Sequence, residues 1–239
     1  VESVPADELK EILWQKTLTP GSIPVDGKGL EIDLASARAI LDYGMNDMRQ
    51  QSMLAANTFE PIFISGSTIT HAPTPQQILL TLLDGIQPVG ISPLIIDKHG
   101  LLPVLGAIAK SITLLPVQVM ESSAFANLAT VINIESKVSE GTPVANARLT
   151  YKSGSYMDAE VKQGSIATLP LPSGDTGTIS LNLARRSTIE GLIAPNEPFK
   201  VHGGVCGVVI DARGRPLTFP KDEAARRERY KRWMFMLGA

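Results

Sequence analysis

Apolar residues recur along this chain with two rhythms, and the change of rhythm divides it. In the first half they return every three or four positions. Asp7 is an expected helix N-cap, with Leu9, Ile12, Leu13 and Lys16 following at helical spacing. A Pro/Gly-rich connector covers Thr19–Gly29. From about Asp33 to Ala56, the residues Leu34, Ala37, Ile40, Leu41, Met45 and Met48 keep one stripe, which predicts a long amphipathic helix. Gly44 inside it costs about 1 kcal/mol against alanine and points to a close backbone approach. Two short apolar runs, Pro61–Ser65 (PIFIS) and Pro93–Asp97 (PLIID), predict buried strands. Each precedes a helical pattern. Thr74 caps the first, with Pro75 in its opening position and Ile78, Leu79, Leu82 and Leu83 as its buried face. Leu101–Lys110 is the second. Strand, helix, strand, helix predicts an α/β layer with a parallel pair.

From about Thr130 the period shortens. β-Branched runs at Thr130–Glu135, Ala147–Tyr151, Tyr156–Val161, Ile166–Leu171, Thr178–Leu183, Phe199–His202 and Val205–Asp211 are separated by Gly, Pro, Asn and Asp. That spacing predicts a small β-sandwich or barrel. The tail, Asp222–Gly238, is a charged helix with Tyr230, Trp233, Met234 and Leu237 on one docking face. The expected fold class is therefore α/β plus all-β. It divides into an α/β region over 1–125, a β-rich domain over 126–220 and a C-terminal docking helix over 221–239.

Composition narrows the function classes. Of 239 residues, 44% are hydrophobic and 19% charged, which describes a folded soluble chain rather than a disordered one. A net charge of -2 argues against nucleic acid as a partner. No unbroken apolar run approaches the roughly 18 residues that span a membrane, so no membrane partner is expected. The single cysteine, Cys206, excludes an internal disulfide and fits a cytoplasmic setting. The chain opens on Val1 and reads as an excerpt or a processed piece.

The candidate chemistry lies where the first two strands end. Phe63–Pro73 reads FISGSTITHAP: at Gly66 no Cβ blocks a ligand from the backbone, and the helix opening near Pro75 favours an anion on the same side. Asp97 ends the second strand, where ligands of open α/β layers collect. It is suited either to holding a ribose hydroxyl or to capping the next helix. His71, His99 and His202 show no metal-ligand spacing. Cys206, within an apolar strand, reads as a buried inert thiol. In GGVCGVVIDARGRPL, Asp211 either pairs with Arg213 or Arg215 in a hairpin, or the two arginines form an exposed basic tip.

Three blocks carry a resemblance. They are SGSTITHAPTPQQILLTLLDGIQPVGISPLIIDKHGLLPVLGAIA (Ser65–Ala109), LPVQVMESSAFANLATVI (Leu115–Ile132) and GGVCGVVIDARGRPLTFP (Gly203–Pro220). In order and spacing they resemble the accessory L proteins encoded with glutamate mutase. That family is similar to the actin, heat-shock chaperone and sugar-kinase ATPases. The resemblance implies that this chain is a partial actin-like ATPase lobe, the second of two, followed by a β-domain. Ser65, Gly66 and Ser67 would stand on the nucleotide-contacting turn and Asp97 on the segment that closes the lobe. It further implies ATP with Mg in the full-length protein, an N-terminal lobe outside this chain, and an adenosylcobalamin-dependent radical mutase subunit as partner. The implied role is to assist or reactivate that mutase. This chain alone carries no expected catalytic residue. Ile64 and Ser67 stand where the family's pattern has glycine, so the direction of their side chains decides how closely a nucleotide approaches. The alternative is a non-enzymatic interaction or scaffold module with a degenerate turn.

Overall fold

A computed structural model describes residues 4–51, 60–192, 194 and 197–238. Helix α1 (Ala6–Leu18) begins one residue before Asp7, so Asp7 lies in its first turn rather than at its cap. None of its residues is buried. Two ion pairs tether it to α2 (Gly27–Gln50): Lys16 with Asp33 at 2.5 Å and Lys28 with Glu8 at 2.6 Å. Helix α2 starts earlier than the stripe predicts, because the Asp26 carboxylate accepts the Gly29 amide at 2.6 Å and caps it there. The predicted stretch beyond residue 51 lies outside the described residues until 60.

Next come β1 (Ile62–Ile64), the single turn α3 (Ser67–Thr70), α4 (Pro75–Gly85) and β2 (Ile91–Asp97). Two short helices follow, α5 (Leu102–Ile108) and α6 (Leu114–Met120). The β-rich stretch comprises β3 (Phe125–Asn133), β4 (Glu135–Ser136), β5 (Pro143–Tyr151), β6 (Tyr156–Lys162), β7 (Ile166–Leu169), β8 (Thr176–Leu183), β9 (Ser187–Thr188), β10 (Phe199–His202) and β11 (Val208–Asp211). Helix α7 (Glu223–Met236) closes the described chain.

A five-stranded mixed sheet, β1-β2-β3-β11-β7, runs through the molecule. The pairs β1–β2 and β3–β11 are parallel; β2–β3 and β11–β7 are antiparallel. An antiparallel sheet, β10-β8-β5-β6, packs on one face of it, and β4 pairs with β9 in a separate two-stranded ribbon. Strand β11 shows how the layers are sorted. Val209 points into the core shared with α4 and α7, while Val208 and Ile210 point toward the four-stranded sheet. No sheet closes into a barrel among the described residues. The expected boundary at 125/126 falls at the start of β3, the middle strand of the five-stranded sheet, so the α/β and β-rich stretches share that sheet.

The helix-side core is built on α4, whose Leu79, Leu80 and Leu83 are fully buried. Each such side chain stabilises the fold by about 1.5–3 kcal/mol relative to exposure. Leu41 and Met45 of α2 pack on it, but Ile40 of the predicted stripe is 70% exposed. The close helix contact expected at Gly44 lies elsewhere: no atom stands within 4 Å of a Cβ built on Gly44, whereas one built on Gly85 would sit 2.7 Å from Leu41 Cβ. Helix α7 docks as its stripe predicts, with Trp233 and Leu237 buried and Trp233 Nε1 donating to the Gly164 carbonyl at 3.2 Å. Helices α5 and α6 lie apart from this packing. Leu105 is their one buried residue, while Val104, Ile112, Leu114 and Val117 are exposed.

Candidate functional site

Strands β1 and β2 run parallel with Ile64 level with Ile96, so Ser65 and Asp97 finish side by side. The Ser65 hydroxyl donates to Asp97 Oδ2 at 3.3 Å. The Leu101 amide donates to Oδ1 and the Leu102 amide to Oδ2, both at 2.9 Å. Burial works to raise the Asp97 pKa. The amides of Leu102, Leu101 and His99 and the Ser65 hydroxyl outweigh it, and the carboxyl is held below its ordinary 3.8. A carboxylate offers about four acceptor positions, and the Ser65 hydroxyl and the Leu101 and Leu102 amides occupy three of them. Of the two roles the sequence left open, Asp97 therefore takes the capping one. It fixes the turn into α5.

Gly66 follows Ser65 at φ +115°, a conformation that strains any residue with a Cβ. No atom lies within 4 Å of the place a Cβ would occupy. The backbone here is bare toward open space. Ile64 is 5% exposed and belongs to the helix-side core, so its side chain points away from the strand tips and leaves the approach to Gly66 clear. Ser67 opens α3 and is half-buried.

The start of α4 differs from expectation. Thr74 Oγ1 accepts the Gln77 amide at 3.3 Å, and Gln77 Oε1 accepts the Thr74 amide at 3.2 Å. This reciprocal capping box satisfies internally donors that the sequence suggested for an anion. On α3, His71 Nδ1 lies 2.9 Å from the Ser67 carbonyl oxygen. A carbonyl only accepts, so Nδ1 carries the proton.

A second constellation lies at the opposite end of the sheet, where β11 finishes at Asp211. Arg213 donates to Asp84 Oδ1 at 2.7 Å through Nη1, and to Asp211 through Nε and Nη2, both at 3.0 Å. Arg215 Nη2 reaches Asp211 Oδ2 at 2.9 Å. Arg38 Nε stands 3.3 Å from Asp84 Oδ2. Trp233 covers the Arg213 guanidinium, 4.5 Å from ring centroid to Cζ. Burial alone would raise the Asp211 pKa, but the charges of Arg213 and Arg215 and their hydrogen bonds overcome it and hold the carboxyl well below the usual range. Of the two readings of this loop, the pairing of Asp211 with the arginines holds, although among the described residues no strand follows β11 to make the expected hairpin: Arg213 and Arg215 are turned inward, not displayed as a basic tip. The sequence did not indicate Asp84 or Arg38, because their link to Arg213 is formed only in three dimensions.

Beside this network a groove of about 380 Å³ opens between α2, the end of α4 and residues 216–219, lined in part by Arg38, Asp42, Arg49 and Gln87. It lies away from the strand tips. Its polar groups largely bond within the protein: Gln87 Nε2 donates to Asp42, Gln87 Oε1 accepts the Leu217 amide, and Arg49 donates to the Ile86 carbonyl.

Cys206 is half-buried, and burial pushes its thiol up to about 11, which suits an unreactive side chain. Among the described residues no group of three or more His, Cys, Asp or Glu side chains is placed to hold a metal ion. No helix there is long and apolar enough to cross a membrane. Compared with known protein families, with curated proteins and with solved structures, the chain matches none.

Proposed function

We propose that this chain is the nucleotide-contacting lobe of a two-lobed, actin-like ATPase of the glutamate mutase accessory type, which uses ATP with Mg to reactivate an adenosylcobalamin-dependent radical mutase. The observation that carries the reading is the bare backbone of Gly66 at the paired tips of two parallel strands. Ligands of open α/β sheets bind beyond such tips. In this reading the nucleotide lies against Gly66, with the Ser65 and Ser67 hydroxyls beside it. Asp97 is a positioning residue that holds Ser65 and the turn at 98–100. Phosphoryl transfer needs metal-bound phosphates and a positioned nucleophile, and these come from the other lobe. When bound, Mg-ATP supplies the transferable phosphoryl group; this chain binds and orients.

Thermal unfolding of the complete polypeptide with and without Mg-ATP tests the reading. At 100 times its Kd the ligand adds about 2.7 kcal/mol of stability. Gly66→Val is expected to abolish the shift, and a complete polypeptide whose melting ignores Mg-ATP overturns the proposal. A second reading, a non-enzymatic interaction module, draws on the exposed Val104 of α5, Ile112 of the link after it, and Leu114 and Val117 of α6. It is the reading that stands if nucleotide has no effect.

A further inference from the structure

We infer that Lys98 and His99, on the turn that Asp97 holds, grip the phosphates of the ligand at the strand tips and make the site selective for phosphorylated nucleotides over free nucleosides. This rests on the nucleotide reading above. The Asp97 carboxylate is turned inward and spent on the amides of His99, Leu101 and Leu102 and on the Ser65 hydroxyl. It fixes the backbone of residues 98–100 while contributing no accessible negative charge of its own to that rim. Lys98 and His99 are exposed on this fixed turn, and their side chains form no hydrogen bond or ion pair among the described residues.

The arginines at the opposite end of the sheet present a contrast, since Arg213 and Arg215 are committed to Asp84 and Asp211. A lysine ammonium supplies three donors without an acceptor, and an imidazole supplies a ring N–H donor. Both suit a phosphate better than a neutral ribose or base. On the α3 side of the tips, exposed His71 has Nδ1 committed to the Ser67 carbonyl, which orients the ring and leaves Nε2 outside that bond. The strand tips thus offer bare backbone at Gly66 for the body of the ligand, and the Lys98 ammonium and imidazole N–H donors at the rim for its anionic part.

The test uses the complete polypeptide and isothermal titration with Mg-ATP and with adenosine, for the natural protein and for Lys98→Ala/His99→Ala. The natural protein is expected to bind Mg-ATP more tightly than adenosine, with an affinity that falls as salt rises. The double variant is expected to lose about 10-fold to 100-fold in Mg-ATP affinity, the scale of one or two charge-assisted hydrogen bonds. Its adenosine affinity and melting temperature stay unchanged. A variant that binds Mg-ATP as tightly as the natural protein overturns the phosphate role and leaves the nucleotide reading intact. A natural protein that binds neither ligand overturns both. Equal loss of Mg-ATP and adenosine affinity also overturns the phosphate role, because it marks a general effect on the turn.

Discussion

Where β11 ends, Asp84, Asp211, Arg213 and Arg215 bond one another beneath Trp233, and the side chains of Asp84, Asp211 and Arg213 have no exposed surface. Where β1 and β2 end, a single buried carboxylate holds a turn, and Ser65, Gly66, Lys98 and His99 face outward. Both ends belong to one five-stranded sheet. The sealed end spends its charges on itself, at a desolvation cost that close pairing offsets. The open end spends one charge on holding shape and leaves the others uncommitted. Charge density alone therefore does not mark a binding site in this molecule. The denser cluster is the structural one.

The largest effect expected from breaking this contrast is at Arg213. Arg213→Ala strands Asp84 and Asp211 in the interior and removes the ring contact to Trp233. The expected cost is about 3–5 kcal/mol, or a melting temperature lower by about 10 °C for a chain of this size, read by circular dichroism. A loss under 1 kcal/mol would mean that the sealed end is not sealed by its charges.

Next in size is Asp97→Asn, with an expected cost of about 1–3 kcal/mol from weakened charge-assisted bonds. It also carries a pH signature. A carboxyl held below its ordinary 3.8 contributes stability that is complete above that value and disappears as pH falls through the lower folded-state value. Urea unfolding between pH 7 and pH 3 should show the natural protein losing stability toward the acid end. The variant should show a shallower loss, with the part due to Asp211 remaining. Identical acid limbs would remove Asp97 from its holding role. Smallest is Lys98→Ala: without ligand, stability should change by no more than about 0.5 kcal/mol. A larger loss would show that this side chain supports the fold.

The open end was partly legible in the sequence. Two apolar runs, each stopping at a small or acidic residue, were enough to place Ser65 and Asp97 at neighbouring strand ends, because parallel strands of a strand–helix–strand unit finish on the same edge. Capping chemistry is local, so Thr74 and Pro75 were readable too. The sealed end was not, since Arg213 and Asp84 are 129 residues apart and no spacing rule connects them. Periodicity also misjudged Ile40, which shares its helix's apolar spacing but has no neighbour over it; a stripe states which face is apolar, not how wide a partner covers it. Helix α6 was missed for a related reason. In LLPVQVM the only strongly polar residue is Gln118, so no polar face sets a period. Its apolar composition was read as neither helix nor strand.

The central place of β3 has a consequence for taking the molecule apart. Its neighbour β2 ends at residue 97, but its parallel neighbour β11 begins only at residue 208. A fragment cut at residue 125 would carry β2 with a raw edge, an invitation to mispairing and aggregation. The remainder would keep α7 but lack α2 and α4, the larger part of the helical cover on its other face. Calorimetry should accordingly record one cooperative melt rather than two, and neither recombinant half should show a native melt by itself.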